Sequence, residues 1–365
     1  MGPYGHNPSI DEITAQYQRA STLISLIEKT RPGVNIMVSP LSIEIALLMI
    51  ANTLGDRGKA AVLRYLGLSE DNFNGYAHRQ LERLRNQETL SIANALWVRD
   101  HADRKLELID DTQSKLIENF KIKHKKFKNS VKPINDWVKK VTRNKIECVI
   151  TDDELTPDLD SVIANAVHFK SDWIYQLHNI GKRRFDSLDG KKQDIDFIGT
   201  TSTEIGYAEN EDYQMIQMRY RDMSYFVAFL PKQGHTDKQS FSLPDNIRFS
   251  HDYKVKLEMP EFESEFGISL LTLAEELKLL EIFEPDEVSN LFKDNKYTLG
   301  DVKHKTYIKV DKQGTEAAAV TMGMVRGTSC SIHEPKRIKI VLDRPFYYGI
   351  TSRYGDMLFI GKYKN

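Results

Sequence analysis

Apolar residues recur with helical spacing in the first third of the chain and alternate with polar residues in much of its second half. The helical spacing predicts amphipathic helices over Ile10 to Lys29, Ser42 to Asn52 and Leu108 to Phe120. The alternation from Tyr253 to Met259 and the short, wholly apolar run from Tyr225 to Leu230 predict strands. Helices and strands segregated in this way indicate an α+β fold rather than a doubly wound parallel sheet.

One segment near the C-terminus carries no large side chain and no proline. It runs Gly314-Thr315-Glu316-Ala317-Ala318-Ala319-Val320-Thr321. In an extended chain, Thr315, Ala317, Ala319 and Thr321 share one face, and Glu316 falls on the opposite, solvated face. A strand with such a small face could enter between existing strands at little steric cost.

The same segment could also form a short Ala-rich helix, because Glu and Ala both favour helix. Its flanks favour the strand. Thr306 to Val310 alternates as a strand does, and Met322 to Glu334 contains Gly and Ser without helical periodicity.

Length and composition fit one large domain. The 365 residues contain no Pro/Gly/Ser-rich linker, internal repeat or low-complexity tract. Hydrophobic residues make up 40% and charged residues 28%, which allows a sizeable core beneath a charged surface. The formal net charge of -1 gives no global argument for binding nucleic acid or a membrane.

The chain ends and cysteines bear on the compartment. Residues 1–9 are polar and rich in Gly and Pro, so we expect a flexible N-terminal segment or a cloning remnant rather than a signal peptide. Cys148 and Cys330 are the two cysteines, and no glycosylation sequon occurs. These features predict a cytoplasmic or nucleocytoplasmic protein. The alternative is a secreted protein that has lost its signal peptide or leaves the cell unconventionally.

Motifs of catalysis are missing from the sequence. It has no Gly-x-Ser-x-Gly elbow, no phosphate-binding glycine loop and no His-Glu-x-x-His. Cys330 and His333 are close in sequence, but they lie in a predicted loop that lacks a frame to orient them. We therefore expect no enzymatic activity, catalytic residue, metal site or cofactor.

Six segments resemble, in order, the motifs of the serpin family of protease inhibitors. They are Asn35 to Ile43, Ile92 to Val98, Ile134 to Val138 with Thr142, Lys145 and Ile146, Asn165 to Trp173, His304-Lys305, and Arg344-Pro345-Phe346 with Leu358 to Gly361. The resemblance implies one serpin domain over residues 10–365, with three β-sheets, about nine helices and an exposed reactive-centre loop at about residues 313–334. Within the family it indicates an intracellular type, clade-B-like or non-vertebrate.

The resemblance also implies a mechanism. A serine protease attacks the loop as a substrate, forms its acyl-enzyme, and is trapped when the freed segment inserts into the main sheet. The alternatives are an inhibitor of a papain-like cysteine protease, or a non-inhibitory chaperone or carrier. The small face of the segment favours inhibition, because carriers and chaperones do not need it. We expect a monomer that is able to form loop-sheet polymers.

Particular residues acquire roles from the resemblance. Residues 314–321 are the hinge of the moving loop. Ser39, Ser42, Asn165 and His304 match the buried shutter cluster that holds the main sheet closed, and Trp173 matches the breach, where insertion begins.

The bond that the protease cuts is less well defined. Counting about fourteen residues from Gly314, the family's usual spacing, places it between Thr328 and Ser329. Counting back from Pro335 places it nearer Ser331, and the alternatives by protease specificity or position are Met324, Arg326 and Cys330.

A run of basic residues raises the question of sulfated glycosaminoglycans. It comprises Lys121, Lys123, Lys125, Lys126, Lys128, Lys132, Lys139, Lys140, Arg143 and Lys145. The family usually binds such polymers through other elements, so we interpret the run as a solvated face and do not expect glycosaminoglycan binding.

Overall fold

The computed structural model describes residues 8–85, 89–99, 125–127, 130–156, 159–234, 241–244, 247–285, 287, 298–315 and 335–365. In chain order the elements are α1 (Ile10–Thr30), β1 (Ile36–Val38), α2 (Pro40–Ala51), α3 (Asp56–Leu66), α4 (Glu70–Arg85), β2 (Leu90–Arg99), β3 (Lys125–Phe127), α5 (Lys132–Val141), β4 (Ser161–Phe169), β5 (Ser171–Asp172), β6 (His178–Asp186), β7 (Lys192–Ser202), β8 (Gly206–Glu209), β9 (Tyr213–Arg219), β10 (Tyr225–Pro231), β11 (Tyr253–Pro260), β12 (Phe262–Ser269), β13 (Leu299–Val310), β14 (Gly314–Thr315), β15 (Lys336–Val341), β16 (Phe346–Thr351) and β17 (Met357–Tyr363).

These elements belong to two units whose sequences interleave. The first unit comprises residues 38–168 and 265–307, and the second comprises residues 8–37, 169–264 and 308–365. Strands β4 and β13 begin in the first unit, and their last residues belong to the second.

In the first unit, β3, β2, β4 and β13 lie side by side in that order. The pairs β2–β3 and β4–β13 are parallel, and β12 pairs with β13. Helix α5 buries Ile134 and Val138 in an apolar cluster with Trp97 and Tyr307. Helix α2 is buried at every position, which fits its almost wholly apolar sequence.

The second unit contains a six-stranded sheet and a four-stranded sheet. One has the order β1-β17-β16-β10-β9-β8, and the other has the order β15-β11-β7-β6. Aromatic side chains fill its core: Phe226 stacks on Tyr348 with ring centroids 6.1 Å apart, and Phe241 stacks on Tyr347 at 3.8 Å. Helix α1 is tied to β17 by an ion pair of 2.7 Å between Glu28 and Lys362.

Most predicted elements that fall on described residues are confirmed. Helices α1 and α2 match the predicted helices within two residues, and β10 and β11 match the predicted strands within one. Ser9, expected in a flexible segment, caps α1 by accepting a hydrogen bond from the Glu12 N–H. The predicted helix over Leu108 to Phe120 lies outside the described residues.

The described strands form three sheets, as the serpin resemblance implies, and their combination with separate helices confirms the α+β fold class. The described residues contain five α-helices and three short 3-10 helices. The resemblance implies about nine helices for the whole chain. Among the described helices, none is long and apolar enough to cross a membrane.

Candidate functional site

The first two hinge residues, Gly314 and Thr315, form strand β14. On one side Thr315 pairs with Val310, the last residue of β13. On the other side β14 pairs with β5, where Gly314 lies opposite Asp172 and Thr315 opposite Ser171. Both pairings are antiparallel, so these two residues already serve as a strand between two others.

A tight turn at Asp311 directs the chain into β14. The Asp311 carboxylate accepts hydrogen bonds from the backbone N–H groups of Gln313 at 2.8 Å and Gly314 at 3.2 Å. The Asp311 N–H donates to the Gly314 carbonyl at 2.9 Å. A Cβ on Gly314 would lie 2.2 Å from the Ser171 carbonyl oxygen, so only glycine fits beside β5.

Thr315 is fully buried, with 0% of its surface exposed. Its hydroxyl lies 2.6 Å from that of Tyr220, whose ring stacks on Trp173 at a centroid distance of 4.2 Å. Burial raises the pKa of Tyr220 well above its ordinary value, so this hydroxyl remains protonated. The Thr315 side chain is therefore buried against an uncharged aromatic residue, in surroundings that disfavour a charged side chain.

Trp173, the predicted breach residue, also holds the turn from outside β14. Its indole N–H donates to the Asp311 carbonyl at 2.9 Å, and its backbone N–H donates to the Gln313 carbonyl at 3.0 Å. Trp173 thus contacts the turn that precedes the hinge through both its main chain and its side chain.

The four predicted shutter residues lie together in the first unit and are all buried. Asn165 on β4 and His304 on β13 are register partners, and their side chains are hydrogen-bonded to each other. Ser39 caps α2 by accepting from the Ser42 N–H at 3.3 Å. The Asn165 amide donates to the Ser42 hydroxyl at 2.6 Å, which links β4 to the start of α2.

These bonds fix the tautomer of His304. The Ser39 N–H donates to Nε2 at 3.0 Å, so Nε2 carries no proton and Nδ1–H donates to the Asn165 Oδ1 atom. A protonated ring would place two donors face to face at Nε2. Burial lowers the pKa of His304 to about 3, which keeps the ring neutral.

The lowered pKa predicts a loss of stability in acid. An unfolded histidine has a pKa of about 6.5, so from about pH 6.5 down to about pH 3 the unfolded chain binds a proton that the folded chain does not. The free energy of unfolding should therefore fall as pH falls through this window, by up to roughly 1.4 kcal/mol per pH unit from His304. Above the window the contribution of His304 is constant.

Urea unfolding between pH 7.5 and 4.5 measures this dependence. His304→Gln should be less stable than the wild type at pH 7.5 but should have a shallower decline, because glutamine does not titrate. Equal slopes for the two proteins would show that His304 is not the titrating group.

Three neighbours of these residues were not predicted. Asn94 accepts a hydrogen bond from the Asn165 amide, and Tyr220 and Asp311 hold the hinge. Asn94 lies inside the quoted Ile92 to Val98 motif and Asp311 begins a turn-like Asp-Lys-Gln-Gly run, so both left a signal. Tyr220 left none, because its contact with Thr315 spans 95 positions.

Several predicted residues lie outside the described chain. These are the rest of the hinge, Glu316 to Thr321, and the candidate cleavage residues Met324, Arg326, Thr328, Ser329, Cys330 and Ser331. Of the basic run, Lys132 forms an ion pair with Asp136, and Lys139 with Glu147. Among the described residues, no group of three or more His, Cys, Asp or Glu side chains is placed to hold a metal ion.

Comparison with known proteins places this geometry in a family. A family model described as Serpin (serine protease inhibitor) matches residues 14–365. An uncharacterized serpin-like protein of Thermococcus kodakarensis is 28% identical over 363 residues, covering 91% of this chain and 80% of its own length.

Solved structures share the fold. Serpin48 of the insect Tenebrio molitor superposes with a TM-score of 0.84 at 20% identity, covering 99% of this chain and 100% of its own. Human thyroxine-binding globulin superposes with a TM-score of 0.83 at 20% identity, with 98% of each chain covered. With a family model that spans almost its full length, the chain belongs to the serpin family.

Proposed function

We propose that this serpin inhibits a serine protease by trapping it as a covalent acyl-enzyme. The observation that supports the proposal is strand β14. Its two residues lie between β5 and the end of β13, in the position that an inserting loop would extend. In the first unit β4 and β13 are direct neighbours, and they would have to separate for the strand to grow.

The hinge side chains are suited to this movement. Gly314 occupies a place where no Cβ fits, and Thr315 is buried against Tyr220. Continued alternation would direct Ala317, Ala319 and Thr321 to the same inner face. Small residues let the strand lengthen without displacing the core beneath the sheet.

Cleavage would start the insertion. The protease's serine attacks the carbonyl carbon of the residue before the scissile bond, the new amine leaves with a proton, and an ester joins the two proteins. We place that bond between Thr328 and Ser329, with Met324, Arg326, Cys330 and Ser331 as alternatives. Insertion of the freed hinge then carries the attached protease away from its docking position and distorts its active site before water can hydrolyse the ester.

Two other functions remain as candidates. A papain-like cysteine protease would form a thioester by the same route, and the Val325-Arg326 pair suits its preference for an apolar residue before a base. Human thyroxine-binding globulin has the same fold at 20% identity, so the fold alone does not distinguish a carrier from an inhibitor. The small side chains of the hinge favour inhibition. A carrier does not need to bury its hinge in the sheet, so it does not need small residues there.

Incubation with a panel of serine and papain-like cysteine proteases tests the proposal. We expect at least one serine protease to form a complex that survives boiling in SDS and disappears when its catalytic serine is replaced with alanine. Mass spectrometry of the released C-terminal peptide would identify the cut bond. Cleavage of the loop by every protease, without any covalent complex, would favour the non-inhibitory class.

A further inference from the structure

Five cations cluster on the outer face of the four-stranded sheet in the second unit. We call this set the basic face; its members are Arg183, Lys254, Lys256, Arg337 and Lys339. On β11 the inner positions Val255 and Leu257 are buried, whereas Lys254 and Lys256 are exposed. More than half of the Lys256 and Lys339 side chains is exposed, at 57% and 54%.

In the basic face, cationic residues lie directly opposite each other on paired strands. Lys254 lies opposite Arg337, and Lys256 lies opposite Lys339, on neighbouring parallel strands. Strands lie about 4.8 Å apart, and like charges in direct register destabilise a sheet. Part of this cost is offset within the sheet, because Lys256 and Lys339 both contact the Glu258 carboxylate.

Elsewhere the same sheet follows the opposite rule. On β6 and β7, Lys182 lies opposite Asp196, and Arg184 lies opposite Asp194. Protection of an edge strand by lysine would account for β15, which is at the edge of the sheet. It does not account for Lys254 and Lys256, because β11 lies between β15 and β7.

One carboxylate lies among these cations. Glu258 is buried and contacts Lys339 at 3.1 Å, Lys256 at 3.5 Å and Arg183 at 3.9 Å. Burial alone would raise the pKa of Glu258, but Lys339 and Lys256 hold it below its ordinary value, so the carboxylate is ionised. Taken together, the five side chains of the basic face and Glu258 carry a net positive charge.

We propose that the basic face is a docking surface for an acidic region of the target protease, next to that protease's active site. The inference rests on the proposed inhibitory function. Strand β15 begins at Lys336, seven positions after Ser329, so the predicted cleavage site is at most about 24 Å of chain from the basic face.

A protease held on the loop is large enough to cover this distance. A catalytic domain of about 220 residues has a radius of gyration of about 17 Å. Its surface around the active site would therefore lie over the basic face while the loop occupies its cleft. Charge complementarity at this position accelerates encounter and selects among proteases that share a cleavage preference.

Anionic and cationic trypsin provide a matched pair of probes, since both cut after arginine and the loop contains Arg326. The rate to measure is total loop attack, the sum of covalent complex and cleaved product, at about 0.05 M and about 0.5 M NaCl. The test variant is Lys254→Glu with Arg337→Glu, which leaves the three cations that contact Glu258 in place. The control variant is Lys29→Glu with Lys140→Glu, which changes the net charge equally at exposed positions elsewhere.

We expect anionic trypsin to attack the test variant about tenfold more slowly than the wild type at low salt, and the difference to shrink severalfold at high salt. Cationic trypsin should lose nothing, and the control variant should behave as the wild type. Equal rates for the wild type and the test variant with anionic trypsin would overturn the inference. Retention on heparin that depends on Lys254 and Arg337, without discrimination between the trypsins, would assign the basic face to a polysaccharide instead.

The same experiment separates this inference from the proposed function. If loop attack depends on charge as expected but yields cleaved product without a covalent complex, docking stands and trapping fails. If covalent complexes form at rates that ignore the charge of the trypsin, trapping stands and docking fails.

Discussion

Thr315→Arg is expected to turn the protein from an inhibitor into a substrate while leaving its fold and the rate of loop attack unchanged. Thr315 is fully buried, and its hydroxyl contacts that of Tyr220, whose ring stacks on Trp173. Burying an unpaired guanidinium there would cost several kcal/mol. In the uncleaved protein the cost is avoided by releasing the two residues of β14 from the sheet.

After cleavage no such escape exists, because the inserted strand must pass through Thr315 first. Each 1.4 kcal/mol added to the insertion barrier slows trapping about tenfold, and hydrolysis of the ester competes. We therefore expect the ratio of covalent complex to cleaved product, measured on SDS gels, to fall by about tenfold or more. Gln313→Arg is the matched control, since it adds the same charge two residues away at an exposed position and should trap normally. An unchanged ratio for Thr315→Arg would contradict the insertion mechanism.

Asn165→Ala is expected to lower the free energy of unfolding by about 3–5 kcal/mol, with a fall of several degrees in Tm. The Asn165 amide donates to the Ser42 carbonyl at 3.2 Å and to its hydroxyl at 2.6 Å, and its Oδ1 atom accepts from His304. Truncation to alanine leaves the buried polar groups of Ser42 and His304 without these hydrogen bonds. Each such unsatisfied group costs about 1–3 kcal/mol.

Urea unfolding measures the loss, and Ser42→Ala provides a graded comparison. That variant removes one acceptor and leaves the Ser42 carbonyl in place, so a loss of about 1 kcal/mol is expected. Because Asn165 and His304 join the two strands that must part, Asn165→Ala should also form loop-sheet polymers at a lower temperature on native gels. A loss no larger than that of Ser42→Ala would show that Asn165 does not hold the cluster together.

The elements that sequence analysis placed correctly are those with strong local patterns. Helix α1 combines apolar spacing with a Ser9 cap, and β10 and β11 are short runs that alternate or are uniformly apolar. The shutter residues came from the resemblance and not from periodicity, since no local pattern relates Ser39 to His304, 265 positions apart.

Other features depend on contacts that a single sequence does not encode. The contact of the buried Thr315 hydroxyl with Tyr220, and the stacking of Trp173 on Tyr220, join residues that are far apart in the sequence. The basic face is also invisible along the chain, because Lys254 and Arg337 become neighbours only through the parallel pairing of β11 with β15. The long basic run is visible in the sequence, by contrast. Two of its described lysines, Lys132 and Lys139, form ion pairs with nearby carboxylates.

Thermal unfolding before and after cleavage of the loop tests the central claim most directly. Trypsin cleavage at Arg326, verified by mass, frees the hinge without a need for trapping. An inserted strand of about twelve residues would add backbone hydrogen bonds worth about 1 kcal/mol each, so Tm should rise by roughly 10 °C or more. A cleaved protein that melts at or below the temperature of the intact protein would contradict insertion of the hinge into the sheet.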